Sequence, residues 1–369
     1  MSTPSSFSLE TQLLFRKNKV ERGALPNYDN RQIGVITMIP LIGILQSQKM
    51  PPSYPKIKQV PFLDLMIFSP ADLRRFEPQV HGLLLKGENW VPQLLPLPQA
   101  VYNNVYTRNP SIAQKIEEEI GSYRVFNTIT QLDKWKVTQI LRKSPMTEFL
   151  PETRLYSWQI LSSLFKTANP TIIKPRYGHL GHEIYLLRLD NSCWQLLRSS
   201  NTPLLTFNNE KEVKNYFLTH FRNSRWLVQD FVPCASWQGR IFDLRYLVQK
   251  GSLGHWAVTG TLSRVALKDY FVTNICKTIL PVNQIIASAL QNKLEEISLQ
   301  TAQILDGHLG HLGEISVDFC LDDQEKPWII EVNGLPAKEL FLFLRHPPTL
   351  QKIYRFPLEY ANYLAEKVK

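Results

Sequence analysis

A mixed fold of helices and strands in about two domains or lobes is what this sequence predicts. Its 369 residues, 44% of them hydrophobic, can bury more core than one typical domain holds. Residues 29–125 alternate apolar strands with helical stretches, as a small α/β domain does. From residue 126 the texture shifts to strand–loop–strand units and a long amphipathic helix. With 20% charged and 11% aromatic residues, the composition is that of a globular chain rather than a disordered one.

A net charge of +10 points to anionic partners such as nucleotides or phosphates. The basic residues are scattered and no zinc-finger or RNA-recognition signature occurs, so nucleic acid is not expected. The start, "MSTPSSFSLETQLLF", lacks a basic segment followed by an apolar core, so no signal peptide is expected. The longest nearly apolar run, "IGVITMIPLIGIL" at 33–45, is broken by Pro40 and falls short of the roughly 20 residues that cross a bilayer. Cys193, Cys234, Cys276 and Cys320 are far apart without a CxxC, and read as free, mostly core thiols of a reducing cytoplasm.

Along the chain, residues 1–29 read as a polar tail or short strand, while "IGVITMIPLIGIL" and "LDLMIFSP" read as strands. "SIAQKIEEEIG" reads as a helix with Ser111 as N-cap and Gly121 as its stop. "DKWKVTQILRKS" is helical, starting near Asp133 and ending before Pro145. "TIIKPRYGHLGHEIYLLRL" reads as strand, glycine loop and strand, and "RWLVQDFVP" and "RIFDLRYLVQK" as further strands. Ile286, Leu290, Leu294, Ile297, Ala302 and Leu305 recur at helical spacing, and a last helix is expected to begin at Pro357.

The stretch "GEISVDFCLDDQEKPWIIEVNGLP" predicts a hairpin with strands at 314–321 and 327–333. If residue 321 faces 328, Asp318 lies opposite Glu331, and Asn333 shares the face of Glu331. Carboxylates facing each other repel, and a cation between them would remove that cost. Two carboxylates and an amide oxygen suit Mg²⁺. The same spacing also fits an edge hairpin whose carboxylates face solvent. Lys174 ends the strand "TIIK" before a loop holding Gly178 and Gly181, an arrangement that suits phosphates but also an ordinary β-hairpin.

These pieces and their order resemble the ATP-grasp superfamily, and more closely the YheC/YheD-type endospore coat-associated proteins. The likeness is carried by "PLPQAVYNNVYTR" (96–108), "FNTITQLDKWKVTQIL" (126–141), "LPETRLYS" (150–157), "IIKPRYGHLG", "WLVQDFV", "FDLRYLVQK", "GEISVDFCLDD" and "PWIIEVN", in that order. It implies an α+β ATP-grasp fold: two α+β lobes enclosing a nucleotide cleft, at about 126–228 and 229–369, preceded by a small α/β domain at 30–125. It implies ATP and Mg²⁺ as cofactors, with Lys134, Lys174, Gly178 and Gly181 at the phosphates. It also implies Gln229, Asp230 and Phe231 at the base, and Asp318, Glu331 and Asn333 at the metal. Arg245 fits the transferred phosphate, with Asp243 orienting its neighbours, so that Arg245 and Lys174 are the catalytic candidates.

The reaction implied is ATP-dependent ligation of an unknown carboxylate to an amine or similar nucleophile. The alternative is a catalytically silent scaffold among spore-coat proteins. The implied place is the cytoplasm or the spore coat. Two departures stand out: Glu183, where a glycine is usual, and "ICKTILP" after Thr273 and Asn274, where relatives are glycine-rich near the acceptor substrate. The repeated GHLGH reads as two unrelated pieces, a phosphate loop at 178–182 and a helix ending at 307–311, with neither His179 and His182 nor His308 and His311 as a zinc site. "RNSRW" (222–226) and "RKNK" (16–19) read as solvated surface, and Trp226, Trp237 and Trp256 as core or cleft lining.

Overall fold

Apolar runs bounded by proline and glycine form three sheets within the unit Ile39–Lys369. The computed structural model describes residues 39–50, 63–73, 79–178, 181, 183–221 and 225–367. The expectations for residues 1–29, the "RKNK" cluster, His179 and His182 lie outside these.

The first sheet contains β1 (Leu41–Leu45), β2 (Asp64–Phe68), β3 (Gln79–Lys86), β4 (Asn89–Pro96), β5 (Ala100–Asn103) and β6 (Val125–Phe126), in the order β4-β3-β2-β1-β5-β6. Strand β1, "LIGIL", starts after Pro40, is buried throughout and pairs in parallel with β2 and β5, as a continuous apolar run should. Helix α1 (Ser111–Ile120) connects β5 to β6. Ser111 is its first helical residue rather than its cap, because Pro110 holds the N-cap position; Gly121, at φ 105°, closes it as expected.

The second sheet follows α2 (Lys134–Leu141), which Asp133 caps by accepting the Trp135 N–H. It comprises β7 (Thr153–Leu155), β8 (Thr171–Pro175), β9 (Tyr185–Asp190), β10 (Cys193–Arg198), β11 (Pro203–Phe207) and β12 (Trp226–Asp230), in the order β11-β10-β9-β8-β12-β7. Helices α3 (Trp158–Leu164) and α4 (Glu210–His220) cover it, placing Leu161, Val213 and Phe217 over Ile173, Leu187 and Val228.

The third sheet is antiparallel: β13 (Ser236–Trp237), β14 (Arg240–Lys250), β15 (Trp256–Ala266), β16 (Cys276–Leu280), β17 (Glu314–Leu321) and β18 (Pro327–Asn333). Helix α5 (Ser288–Leu309) packs on it through Leu294, Ile297, Ala302 and Leu305, and Gly310 ends that helix as expected. Segment 276–280 is thus an edge strand of this sheet. The expected hairpin forms with a correction to its register. Leu321 faces Pro327, not residue 328, and a bulge between Asp318 and Phe319 restores the pairing of Asp318 with Glu331.

A larger correction concerns the last helix. It begins at Pro347, not Pro357, and runs through Pro357 as α6 (Pro347–Lys367). Proline at 357 removes the N–H that the Ile353 carbonyl would accept. Gln249, reaching from β14, donates its Nε2 to that carbonyl at 2.9 Å, so the oxygen is not orphaned. The same amide also donates to Glu314, and its oxygen accepts from Thr259. Glu314 is fully buried, accepts from the Tyr102 hydroxyl at 2.8 Å and pairs with Lys338 at 2.6 Å. This cluster bonds β5 of the first sheet to β17 of the third.

Gln249→Leu should cost about 1–3 kcal/mol in urea unfolding, by stranding the Ile353 carbonyl, while Lys338 and Tyr102 still serve Glu314. Adding Pro357→Ala should recover part of the loss, since alanine supplies the missing N–H.

Candidate functional site

Between the second and third sheets lies a cleft. Its apolar lining includes Ile172, Ile184, Phe231, Val232, Phe271 and Val272, and its polar lining includes Lys174, Arg264 and Glu331. Across it the structure brings together most of the residues named from the sequence.

Lys174 is the penultimate residue of β8 and is 8% exposed. Its ammonium donates to the Gln229 side-chain oxygen at 2.9 Å and to the Ile330 carbonyl at 3.1 Å. Ile330 is the residue opposed by none in the bulged hairpin, so the bulge releases a carbonyl to a lysine of the other lobe. Burial pushes the Lys174 pKa down to about 8, assisted by Lys134 and opposed by Glu331.

Lys134, the first residue of α2, donates to the Gly178 carbonyl at 2.9 Å and pairs with Glu331 at 3.2 Å. Asp133 beside it holds Arg176 through both oxygens and accepts from Tyr177 at 3.0 Å, which fixes the segment leaving β8. Gly178 and Gly181 have positive φ, and a Cβ at Gly181 would overlap the Asn274 side chain. Glu183 also adopts φ 60°, the left-handed region that favours glycine there. It is exposed and lines an outer notch rather than the cleft.

Asp318 is 1% exposed. Arg245 grips it with a fork, Nε at 2.8 Å and Nη2 at 2.7 Å, and Arg264 adds a third donor at 3.0 Å. Burial raises the Asp318 pKa, but the two guanidiniums outweigh it and hold the carboxyl below the usual range. Arg264 also reaches Asp243 through its Nε at 2.9 Å, and Thr273 donates to Asp243. Sequence reasoning missed Arg264 and Thr273. The signal for Arg264 was one arginine inside "TGTLSRVAL": a charge in an apolar strand requires carboxylate partners.

Glu331 and Asn333 follow on β18, with the Asn333 amide 3.4 Å from Asp318. Among the described residues no group of three or more His, Cys, Asp or Glu gathers as a metal cluster. Gln229 is spent on structure: its oxygen accepts from Lys174 and its amide donates to Thr153 at 2.8 Å. Asp230 pairs with Arg154 at 3.4 Å, and Phe231 lines the cleft.

Cys234 and Cys320 form a disulfide, which corrects the expectation that all four cysteines are free; Cys193 and Cys276 remain thiols. The fold supplies the proximity that 86 residues of sequence separation conceal: the segment after β12 returns along β17, where the Ala235 N–H bonds the Leu321 carbonyl at 2.6 Å. The lobes also meet at a strap, where Asn201 donates to Asp269 at 2.6 Å and Phe271 to Ser199 at 3.0 Å. No described helix is long and apolar enough to cross a membrane.

Two lobes flanking a cleft, with Lys174 from one and a carboxylate hairpin from the other, define an ATP-grasp fold. The chain belongs to the YheC/D-like ATP-grasp family, whose model matches residues 122–364. It is 29% identical over 322 residues to the endospore coat-associated protein YheD of Bacillus subtilis (strain 168), covering 82% of this chain and 70% of that one. The endospore coat-associated protein YheC of the same organism is 22% identical over 301 residues, 75% of this chain and 81% of that one. Among solved structures, the VanG D-Ala:D-Ser ligase from Enterococcus faecalis has a TM-score of 0.51 at 12% identity, covering 88% of this chain and 99% of that one. The N5-carboxyaminoimidazole synthetase from Staphylococcus aureus, complexed with ADP, also has a TM-score of 0.51 at 12% identity, covering 86% and 77%. These two likenesses concern the fold alone.

Arg264→Leu should destabilise the protein by about 3–5 kcal/mol in denaturant titration, because it leaves Asp243 buried without its ionic partner. Thiol titration of unfolded, unreduced protein should count two reactive cysteines, rising to four after reduction.

Proposed function

We propose that the chain is an ATP- and Mg²⁺-dependent ligase joining a carboxylate to an amine or similar nucleophile. The observation that carries this reading is the convergence of Lys134 and Lys174 with Asp318, Glu331 and Asn333 across one cleft. The relatives' names and the ADP-bound neighbour support it by analogy only.

The charges of the cleft fit a metal of one kind. Lys134, Lys174, Arg245 and Arg264 outnumber Asp243, Asp318 and Glu331, so nothing attracts a bare dication. Triphosphate oxygens would reverse the balance, so the oxygen set fits Mg²⁺ arriving with a nucleotide. Asp318, Glu331 and Asn333 would hold it, and it would neutralise phosphate charge.

The chain's own residues then have separable roles. Apolar lining from Ile172, Phe231 and Val232 takes the base, whose polar edge falls to backbone groups of 230–232, since Gln229 is engaged. Lys174 and Lys134 exchange their carbonyl partners for phosphate oxygens. Arg245 and Arg264, held by Asp318 and Asp243, present N–H donors where the γ-phosphoryl leaves ADP for the substrate carboxylate. An amine then attacks the acyl carbon, and phosphate departs with the C–O electron pair. No side chain need act as nucleophile, so positioning and charge carry the rate.

A second reading, a silent scaffold of the spore coat, is favoured by the self-satisfied state of the site. Asp318 is fully engaged by arginines, and Gln229 is bonded at both ends. ADP release with a panel of carboxylates and amines discriminates the two; its absence together with an absent ATP effect would rule out the ligase. Location in the cytoplasm or at the coat is part of the same proposal.

ATP with Mg²⁺ should raise the thermal midpoint, and Lys174→Ala and Asn333→Ala should each abolish the shift. Lys174 has a folded pKa of about 8, below its unfolded 10.5, so burying its charge costs stability below pH 8 and that cost fades as pH rises toward 10.5. Nucleotide phosphates favour the charged form. Affinity should therefore fall as pH rises above 8, approaching about tenfold per unit, measured by calorimetry. Lys174→Arg should flatten that dependence.

A further inference from the structure

We infer that a second anion-binding site occupies the outer notch behind the segment joining β8 to β9, and that it takes a ligand bearing two or more carboxylate or phosphate groups. The notch, about 570 Å³ in volume, is larger than one such group needs.

Its walls come from four parts of the chain. Arg108 enters from the loop after β5, Arg176 and Tyr177 from the end of β8, His220 from the end of α4, and Arg225 from the start of β12. The Tyr177 ring lies between two guanidiniums, with Arg108 at 4.7 Å and Arg176 at 5.5 Å from its centre. Asp133 neutralises only one of them, Arg176. Arg108 and Arg225 are exposed, and among the described residues neither has a carboxylate within ion-pairing distance.

Two unpaired forks thus open into one volume, the geometry that grips planar carboxylates and phosphates with paired donors. Glu183 is the one described carboxylate on the wall. Counting Arg108 and Arg225 against Glu183, with Arg176 and Asp133 cancelling, the described wall of the notch is positive. Gly181 faces the cleft and Glu183 the notch. A ligand bound here would therefore touch Arg176 and Tyr177, next to the Gly178 carbonyl that Lys134 holds. This inference needs neither nucleotide nor turnover, so it stands or falls apart from the ligase reading.

The test is calorimetric titration of the full chain with citrate and, separately, with pyrophosphate, without nucleotide. Citrate binding in the millimolar range or tighter, weakened at least tenfold in the Arg108→Glu/Arg225→Glu double variant, assigns the notch to carboxylates. The same loss for pyrophosphate alone assigns it to phosphates. Glu183→Gln should tighten whichever ligand binds, a direction that general surface charge at a distant site would not give. Arg108→Gln/Arg225→Gln, with an unchanged thermal midpoint, guards against misfolding of the charge reversal. If wild type binds neither anion, or if binding survives both double variants, the inference is overturned.

Discussion

Arg264 touches two carboxylates at once, and the site is organised around that contact. Asp243, Arg264, Asp318 and Arg245 form an alternating run of charges across β15, β14 and β17. Strand register places them: Asp243 pairs with Arg264 and Arg245 with Asp318 as direct cross-strand neighbours. A slip of one residue would drive these side chains to the opposite face and bury them among apolar groups. The run is electrically neutral, so it forms a polar floor without strong attraction of its own. What remains above it is Lys134 and Lys174 against Glu331, a net positive charge facing the opening.

The lobes are joined by more than the covalent linker. Lys174 of the second sheet bonds a carbonyl of the third, which is available only because β18 bulges at Ile330. At the far side, the 199–201 and 269–271 segments exchange backbone hydrogen bonds, and Phe271 packs with Leu186 and Leu197. Near the linker, Cys234 is bonded to Cys320, two residues beyond Asp318. These ties have different chemistries, so they respond to different agents: anions compete for Lys174, denaturant loosens the strap, and reductant opens the disulfide.

Local patterns in the sequence specified most elements, because apolar period and proline or glycine punctuation are local facts. The hairpin partners Asp318 and Glu331, the helix opened by Lys134 and the strand carrying Lys174 were all legible in this way. Tertiary exchange hid the rest. Gln229 looked available to a base, but Lys174 and Thr153 occupy it from other strands. Arg264 lay unnoticed because its carboxylates sit on strands whose pairing no local pattern reveals. The disulfide was hidden for the same reason. Glu183 stood out where a glycine is usual; its left-handed φ explains that glycine, and its side chain lines the outer notch rather than the cleft.

The proline inside α6 carries a consequence for how the chain acquires its shape. An isolated segment of this sequence would be expected to break near Pro357, since no local group can serve the Ile353 carbonyl. In the protein that carbonyl is served by Gln249, a residue 104 positions earlier. Continuity of the helix is therefore a long-range contact, subject to the loop-closure cost such contacts carry. The final helix becomes unbroken only once β14 stands beside it, so the end of the chain registers whether the central sheet has formed.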